Sequence, residues 1–199
     1  LTWLTFGSLA THLFDTDDLE RLSESSAAIN NPSSYFSPEK IHPIRPLYDL
    51  IFMLGMLVWE DNPAAHHLLV VFLHLLASLL LAHTVRQLGV PFELSLLSGL
   101  LFLLNIAHFR AVHWVICGWY TFALIFALKT VAYFQNGWLK TGQMSWMIKS
   151  MAALTAAIFS HPTTVAVAPF CLYLAYRQKA SAKKAITACW PLLALGVLS

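Results

Sequence analysis

With 199 residues, 58% of them hydrophobic and 11% charged, and a mean hydropathy of +0.64, the chain is too apolar for a water-soluble domain, which carries about 25% charged residues. Its net charge of +2 is split unevenly: the stretch through Glu93 carries −6, and from Leu94 onward there are eight basic residues and no acid, a charge of +8. These basic residues punctuate apolar runs instead of forming a solvated stripe, which argues against a nucleic-acid partner.

Leu1–Phe14 has neither a basic n-region nor a small-residue cleavage site, so no cleavable signal peptide is visible in it. It reads as the last turns of a first spanning helix. The apolar run Trp190–Ser199 reads as a helix that continues further. The expectation is one transmembrane domain over 1–199, incomplete at both ends: 1–14 closing a first span, 15–63 an extracytoplasmic loop, 64–199 a helical bundle.

The loop opens acidic (Asp15, Asp17, Asp18, Glu20, Glu24) and passes a turn-rich Asn30-Asn31-Pro32-Ser33-Ser34. Pro46–Trp59 is apolar but only 14 residues long and contains Asp49, so it predicts an interfacial or re-entrant helix. Beyond it, spans are expected over His66–Arg86, Phe92–Ala107, Val112–Phe134, Trp146–Ser160, Thr163–Tyr176 and Ile186–Ser199. Pro91, Pro162 and Pro191 are placed at or near helix starts, where a missing N–H costs little. The fold class is therefore all-α, a polytopic transmembrane bundle whose extracytoplasmic loop carries interfacial helices.

Arg177, Lys179, Lys183 and Lys184 crowd one loop, which the positive-inside rule assigns to the cytoplasm. Threading back through alternating spans puts Lys140 and Arg86 on that side as well. The acidic loop lies opposite if Pro46–Trp59 does not cross, which the charge pattern favours, and on the basic side if it does. Seven of the nine histidines (His12, His42, His66, His67, His108, His113 and His161) then share the outer face with the acidic cluster, Arg45 and Arg110. His74 falls mid-span and His83 near the inner end. Trp114, Trp119 and Tyr120 read as interfacial aromatics. Cys117, Cys171 and Cys189 are isolated in apolar runs and read as small packing residues.

At these residues the chain resembles the N-terminal half of the GT-C membrane glycosyltransferases, which include the protein O-mannosyltransferases and their tetratricopeptide-associated relatives. Asp17-Asp18 stand where that family carries an acidic pair. His42-Pro43-Ile44-Arg45-Pro46-Leu47-Tyr48 resembles its loop element. His67…His74 is similar to a two-histidine helix, with Val70 in place of Asn. Asn105-Ile-Ala-His108-Phe-Arg110-Ala-Val-His113-Trp114 resembles a further element, with Asn105, Ile106 and Arg110 replacing His, Pro and Glu. Ser160-His161-Pro162…Pro169 is similar to a later one that lacks its Lys-Glu pair here.

The resemblance implies sugar transfer from a polyprenyl-phosphate donor to an extracytoplasmic acceptor, in a multi-pass protein of the bacterial inner membrane. Asp17 or Asp18 would be the general base. His42, Arg45, His67, His108, Arg110 and His161 would bind substrate, Arg and His holding the lipid phosphate. No cofactor is assigned with certainty, and a divalent cation at the Asp cluster is left open. Membrane lipid and the donor are the expected partners, and the acceptor is unnamed. A transporter or flippase, or an inactive scaffold of the same fold, are the alternatives.

Overall fold

The computed structural model describes residues 13–33, 46–179 and 182–198. Within them every regular element is helical and no strand occurs. Helix α1 is Thr16–Asn30, α2 Pro46–Trp59, α3 Pro63–Gln87, α4 Phe92–Leu104, α5 Phe109–His113 and α6 Trp119–Ala132. A π-helical segment, Tyr133–Trp138, and a closing turn, Leu139–Thr141, prolong α6. Helix α7 is Met144–Ser160, α8 Val167–Lys179 and α9 Ala182–Leu198.

Two stretches are long and apolar enough to cross a membrane: α3, with 25 residues, and the continuous helical run Ile116–Thr141, with 26. At 1.5 Å per residue each reaches roughly 37–39 Å, more than the hydrocarbon thickness of about 30 Å. A third candidate is bent: Phe92–Leu104 and Ile106–His113 meet at 47° around Asn105. Helix α7, at 17 residues, is shorter than these.

Helix α3 is apolar almost all round, so its facing is set by its polar residues. His66, His67, Val70, His74, Ala77 and Ser78 are buried, while Leu68, Phe72 and Leu79 point outward. Along this stretch polar side chains turn inward and large apolar ones outward, as for a helix whose surroundings are lipid. Where α3 meets α4, backbones approach closely: a Cβ on Gly99 would lie 2.9 Å from both the Ser78 carbonyl and the Ala82 Cβ. Ser78 Oγ donates to the Gly99 carbonyl at 2.8 Å across this junction. Small residues serve the α8–α9 contact in the same way, through Ala168, Cys171, Ala175, Ala185 and Cys189. All three cysteines are buried free thiols.

Contacts assign each helix end to one of two ends of the bundle. At one end Asp18 reaches Val115 and Ile116, Phe14 stacks on His67, and Tyr120 meets His161. At the other, Gln87 contacts His83 and Asn136, and Trp138 Nε1 donates to the Ala188 carbonyl. The histidines His66, His67, His108, His113 and His161 thus lie toward one end, and His83, Arg86, Lys140 and Lys183 toward the other. This is the division that charge and alternation predict.

Helix α2 starts and finishes at the histidine end. Its first turn is tied down there by Tyr48 Oη, which donates to the Val115 carbonyl at 2.6 Å. Near its C-terminus Trp59 packs edge-on against His66 at 5.7 Å, with Phe52 stacked on the same ring at 5.3 Å. At 14 residues it measures roughly 21 Å, short of the hydrocarbon thickness of about 30 Å.

Some boundaries differ from those read in the sequence. The span expected over Val112–Phe134 is interrupted at its start by α5 and the 3₁₀ turn Ile116–Gly118, and continues beyond Phe134 through the π segment. Pro191 sits inside α9 and not at its start, because helix already forms from Ala182 over the basic Lys183-Lys184. Trp119 is buried against Tyr48 and is not an interfacial aromatic. The stretch assigned to a first span, apart from Leu13 and Phe14, lies outside the described residues.

Candidate functional site

The acidic cluster builds the start of α1. Asp15 is the N-cap: its side chain accepts from Thr16 N at 2.7 Å and forms a capping box with Asp18 at N3. Asp18 Oδ2 receives the Asp15 N–H at 3.3 Å in return. The same carboxylate also reaches the turn before α6, Oδ1 accepting from Ile116 N at 2.8 Å and Oδ2 from Val115 N at 3.3 Å. Asp18 is fully buried. Burial pushes its carboxyl above the usual 3.8, a rise opposed by the N–H groups of Ile116, Asp15 and Val115 and by the nearby His67. Asp17, next in sequence, is exposed in the first turn.

His67 lies buried on α3 beneath Phe14, ring centroids 6.4 Å apart, and close enough to act electrostatically on Asp18. Two turns on, His74 shares that face. Its Nε2 meets the Leu103 carbonyl at 3.3 Å, and its ring stacks on Phe102 at 4.9 Å and meets His108 edge-on at 5.4 Å. His108 Nδ1 lies 2.9 Å from the Phe102 carbonyl.

His108 opens onto a cavity of about 350 Å³ shared with His161. The two come from turns 53 positions apart, one before α5 and one before α8, and α6 stands between them. One face of α6 lines the cavity with Tyr120, Ala123, Leu124 and Ala127, the spacing of a helical stripe. Thr163 and Thr164 add hydroxyls beside His161, whose Nδ1 lies 2.7 Å from Thr163 Oγ1. The Tyr120 ring lies 4.8 Å from that of His161. The cavity is therefore amphipathic: a rim of His108, Tyr120, His161 and Thr163, and an apolar wall of Phe102, Ala123, Leu124, Ala127 and Val167.

Of the residues expected to form a site, His108 and His161 converge on this cavity. Arg110 does not line it; its guanidinium lies 5.2 Å over the Trp114 ring. Asp18 and His67 are both buried and do not line the cavity. His42 and Arg45 lie outside the described residues. Tyr120, read as an interfacial aromatic, belongs to the cavity, as do Thr163 and Thr164, which were not singled out. The stripe from Tyr120 to Ala127 was the signal available for the first. Among the described residues no group of three His, Cys, Asp or Glu side chains converges as metal ligands.

Comparison with family models, with characterised proteins and with solved structures gave no match to this chain.

Proposed function

We propose that this chain is the membrane part of a glycosyltransferase that takes its sugar from a polyprenyl-phosphate donor, and that the donor occupies the His108–His161 cavity. The observation that carries the reading is the cavity's division into a polar rim and an apolar wall. From Tyr120 to Ala127 the wall descends about 10 Å along α6. A ligand that is sugar phosphate at one end and prenyl chain at the other matches that division. His108 and His161 hydrogen-bond the phosphate, and the chain lies against Leu124, Ala127 and Val167.

In the transfer, an acceptor hydroxyl oxygen bonds to the anomeric carbon as the bond from that carbon to the phosphate oxygen breaks. The polyprenyl phosphate leaves with the electron pair, and the hydroxyl proton passes to a carboxylate. Asp17 takes that role, because it is exposed while Asp18 is committed to three backbone N–H groups. Asp18 is the positioning residue, holding the turn that joins Ala111 to Tyr120, both of which line the cavity. By the positive-inside rule this end faces away from the cytoplasm of a bacterial inner membrane.

A second reading follows from the burial of Asp18. With one of the two acidic candidates withdrawn from solvent, a scaffold or flippase of the same architecture would use the cavity to hold lipid without transfer. A photoreactive polyprenyl-phosphate hexose, incubated with the chain in nanodiscs, separates the readings. The transferase reading expects labelling on the Ala123–Val131 or Thr163–Phe170 peptides, competed by unlabelled donor, and hexose transfer that Asp17→Asn abolishes. Labelling without transfer to any protein, lipid or glycan acceptor favours the second reading, and absence of labelling at these peptides removes both.

A further inference from the structure

A second cavity, of about 200 Å³, lies at the opposite end, between α3 and the final turns of the run Ile116–Thr141. Its position follows from a local departure in the helix. The π-helical segment Tyr133–Trp138 widens the turn, and Gly137 provides the space: a Cβ there would run into the Trp146 ring. Such insertions in an otherwise α-helical run occur frequently at functional sites.

Two features give this cavity a chemical sign. Lys129 lines it roughly half-way along the 26-residue run, its ammonium 6.0 Å over the Tyr133 ring. No Asp or Glu lines the cavity, and none follows Glu93 in the sequence. A cation at that depth is costly unless an anion or water meets it. The mouth carries a chain of side-chain hydrogen bonds whose direction is fixed by its first member. Lys140 Nζ can only donate, and does so to Asn136 Oδ1 at 2.7 Å. Asn136 Nδ2 therefore donates to Gln87 Oε1 at 2.7 Å, and Gln87 Nε2 to His83 Nε2 at 2.7 Å. His83 itself lines the cavity.

The geometry points to a binding site for the phosphodiester head group of an anionic phospholipid, held between Lys129 and His83 on the basic side of the membrane. The lipid is favoured over a free anion because the cavity lies between the two helices able to cross a membrane and is walled by Leu80 and Leu128, which suit an acyl chain. The site is independent of the His108–His161 cavity and of any transfer reaction.

Native mass spectrometry of the purified chain, titrated with phosphatidylglycerol or phosphatidylcholine, tests it. Phosphatidylglycerol should be retained over phosphatidylcholine, and Lys129→Met should weaken it by at least about fivefold, a charge within the span being worth no less than the roughly 1 kcal/mol of one near the surface. Lys149→Met, whose ammonium packs 4.3 Å over Trp146 and does not line the cavity, should leave it unchanged. Equal retention of the two lipids by the unaltered chain, or equal binding by Lys129→Met, overturns the proposal. Full displacement by millimolar inorganic phosphate overturns the lipid assignment. If Lys129→Met does not fold, a diazirine phosphatidylglycerol on the unaltered chain decides instead. Crosslinks to the Leu80–Gln87 and Leu128–Gly137 segments support the site, and crosslinks confined to other segments sink it.

Discussion

Asp18 and Ile116 stand 98 positions apart and are joined by a 2.8 Å hydrogen bond between a fully buried carboxylate and a backbone N–H. The bond fastens the amphipathic helix α1 to the turn that starts α6. Removing the carboxylate leaves buried N–H groups of Val115 and Ile116 without their acceptor, at a cost of about 1–3 kcal/mol each. Asp18→Ala should therefore lower the thermal midpoint in detergent markedly, whereas Asp17→Asn, at an exposed position, should leave it unchanged. If both variants melt with the unaltered chain, the clamp is unimportant to stability.

The same carboxylate gives a pH signature. Its folded value is raised above 3.8 by burial, so between 3.8 and that raised value the folded chain holds a proton that the unfolded chain has released. The contribution of Asp18 to stability is thus greatest below 3.8 and declines as pH rises through the folded value. The difference in midpoint between the unaltered chain and Asp18→Asn should shrink over that rise and then level off. A difference that grows with rising pH would show the hydrogen bonds outweighing burial.

Tyr48 holds α2 at the histidine end through one bond to the Val115 carbonyl and by packing on Gly118, where any Cβ would collide with the phenol hydroxyl. Tyr48→Phe keeps the ring and leaves that carbonyl its second donor, Gly118 N at 3.1 Å, so the lost bond should cost about 0.5–1.5 kcal/mol. Gly118→Val should be worse, because the ring itself must move. Thermal midpoints of the two variants, taken together, check the order.

The α3–α4 junction should be intolerant of size. At Gly99 a Cβ meets backbone as well as side chain at 2.9 Å, so Gly99→Ala is expected to cost about 1–3 kcal/mol through overpacking. Ser78→Ala, which loses only one interhelical hydrogen bond, should cost about 0.6 kcal/mol. Equal effects for the two would mean that the helices separate freely there.

Orientation is open to a labelling test in which each probe must be exposed. Asp17→Cys and Lys183→Cys are suitable, since both native side chains are exposed and lie toward opposite ends. With Cys117, Cys171 and Cys189 replaced in the intact protein, a membrane-impermeant thiol reagent on whole cells should modify the first and spare the second. The reverse pattern inverts the topology and removes the extracytoplasmic transfer reaction.

The sequence by itself determined the helical, membrane-compatible class, the approximate extent of α3, α4 and α7, the shortness of α2, and the gathering of histidines at one end. These follow from run length, charge and alternation, which are properties of the chain read in one dimension. It also placed His67 and His74 on one face, because two polar residues seven positions apart mark the inward side of an otherwise apolar helix. Only the tertiary structure decided that Asp18 is a buried clamp while Asp17 stays exposed, that His108 shares a cavity with His161 and not with Arg110, and that Tyr120 faces that cavity. Such choices depend on how each helix is rotated and which helix lies beside it. Where a helix is apolar on every side, the pattern of residues leaves rotation and neighbours undetermined, and close packing at residues such as Gly99, Gly118 and Gly137 fixes them.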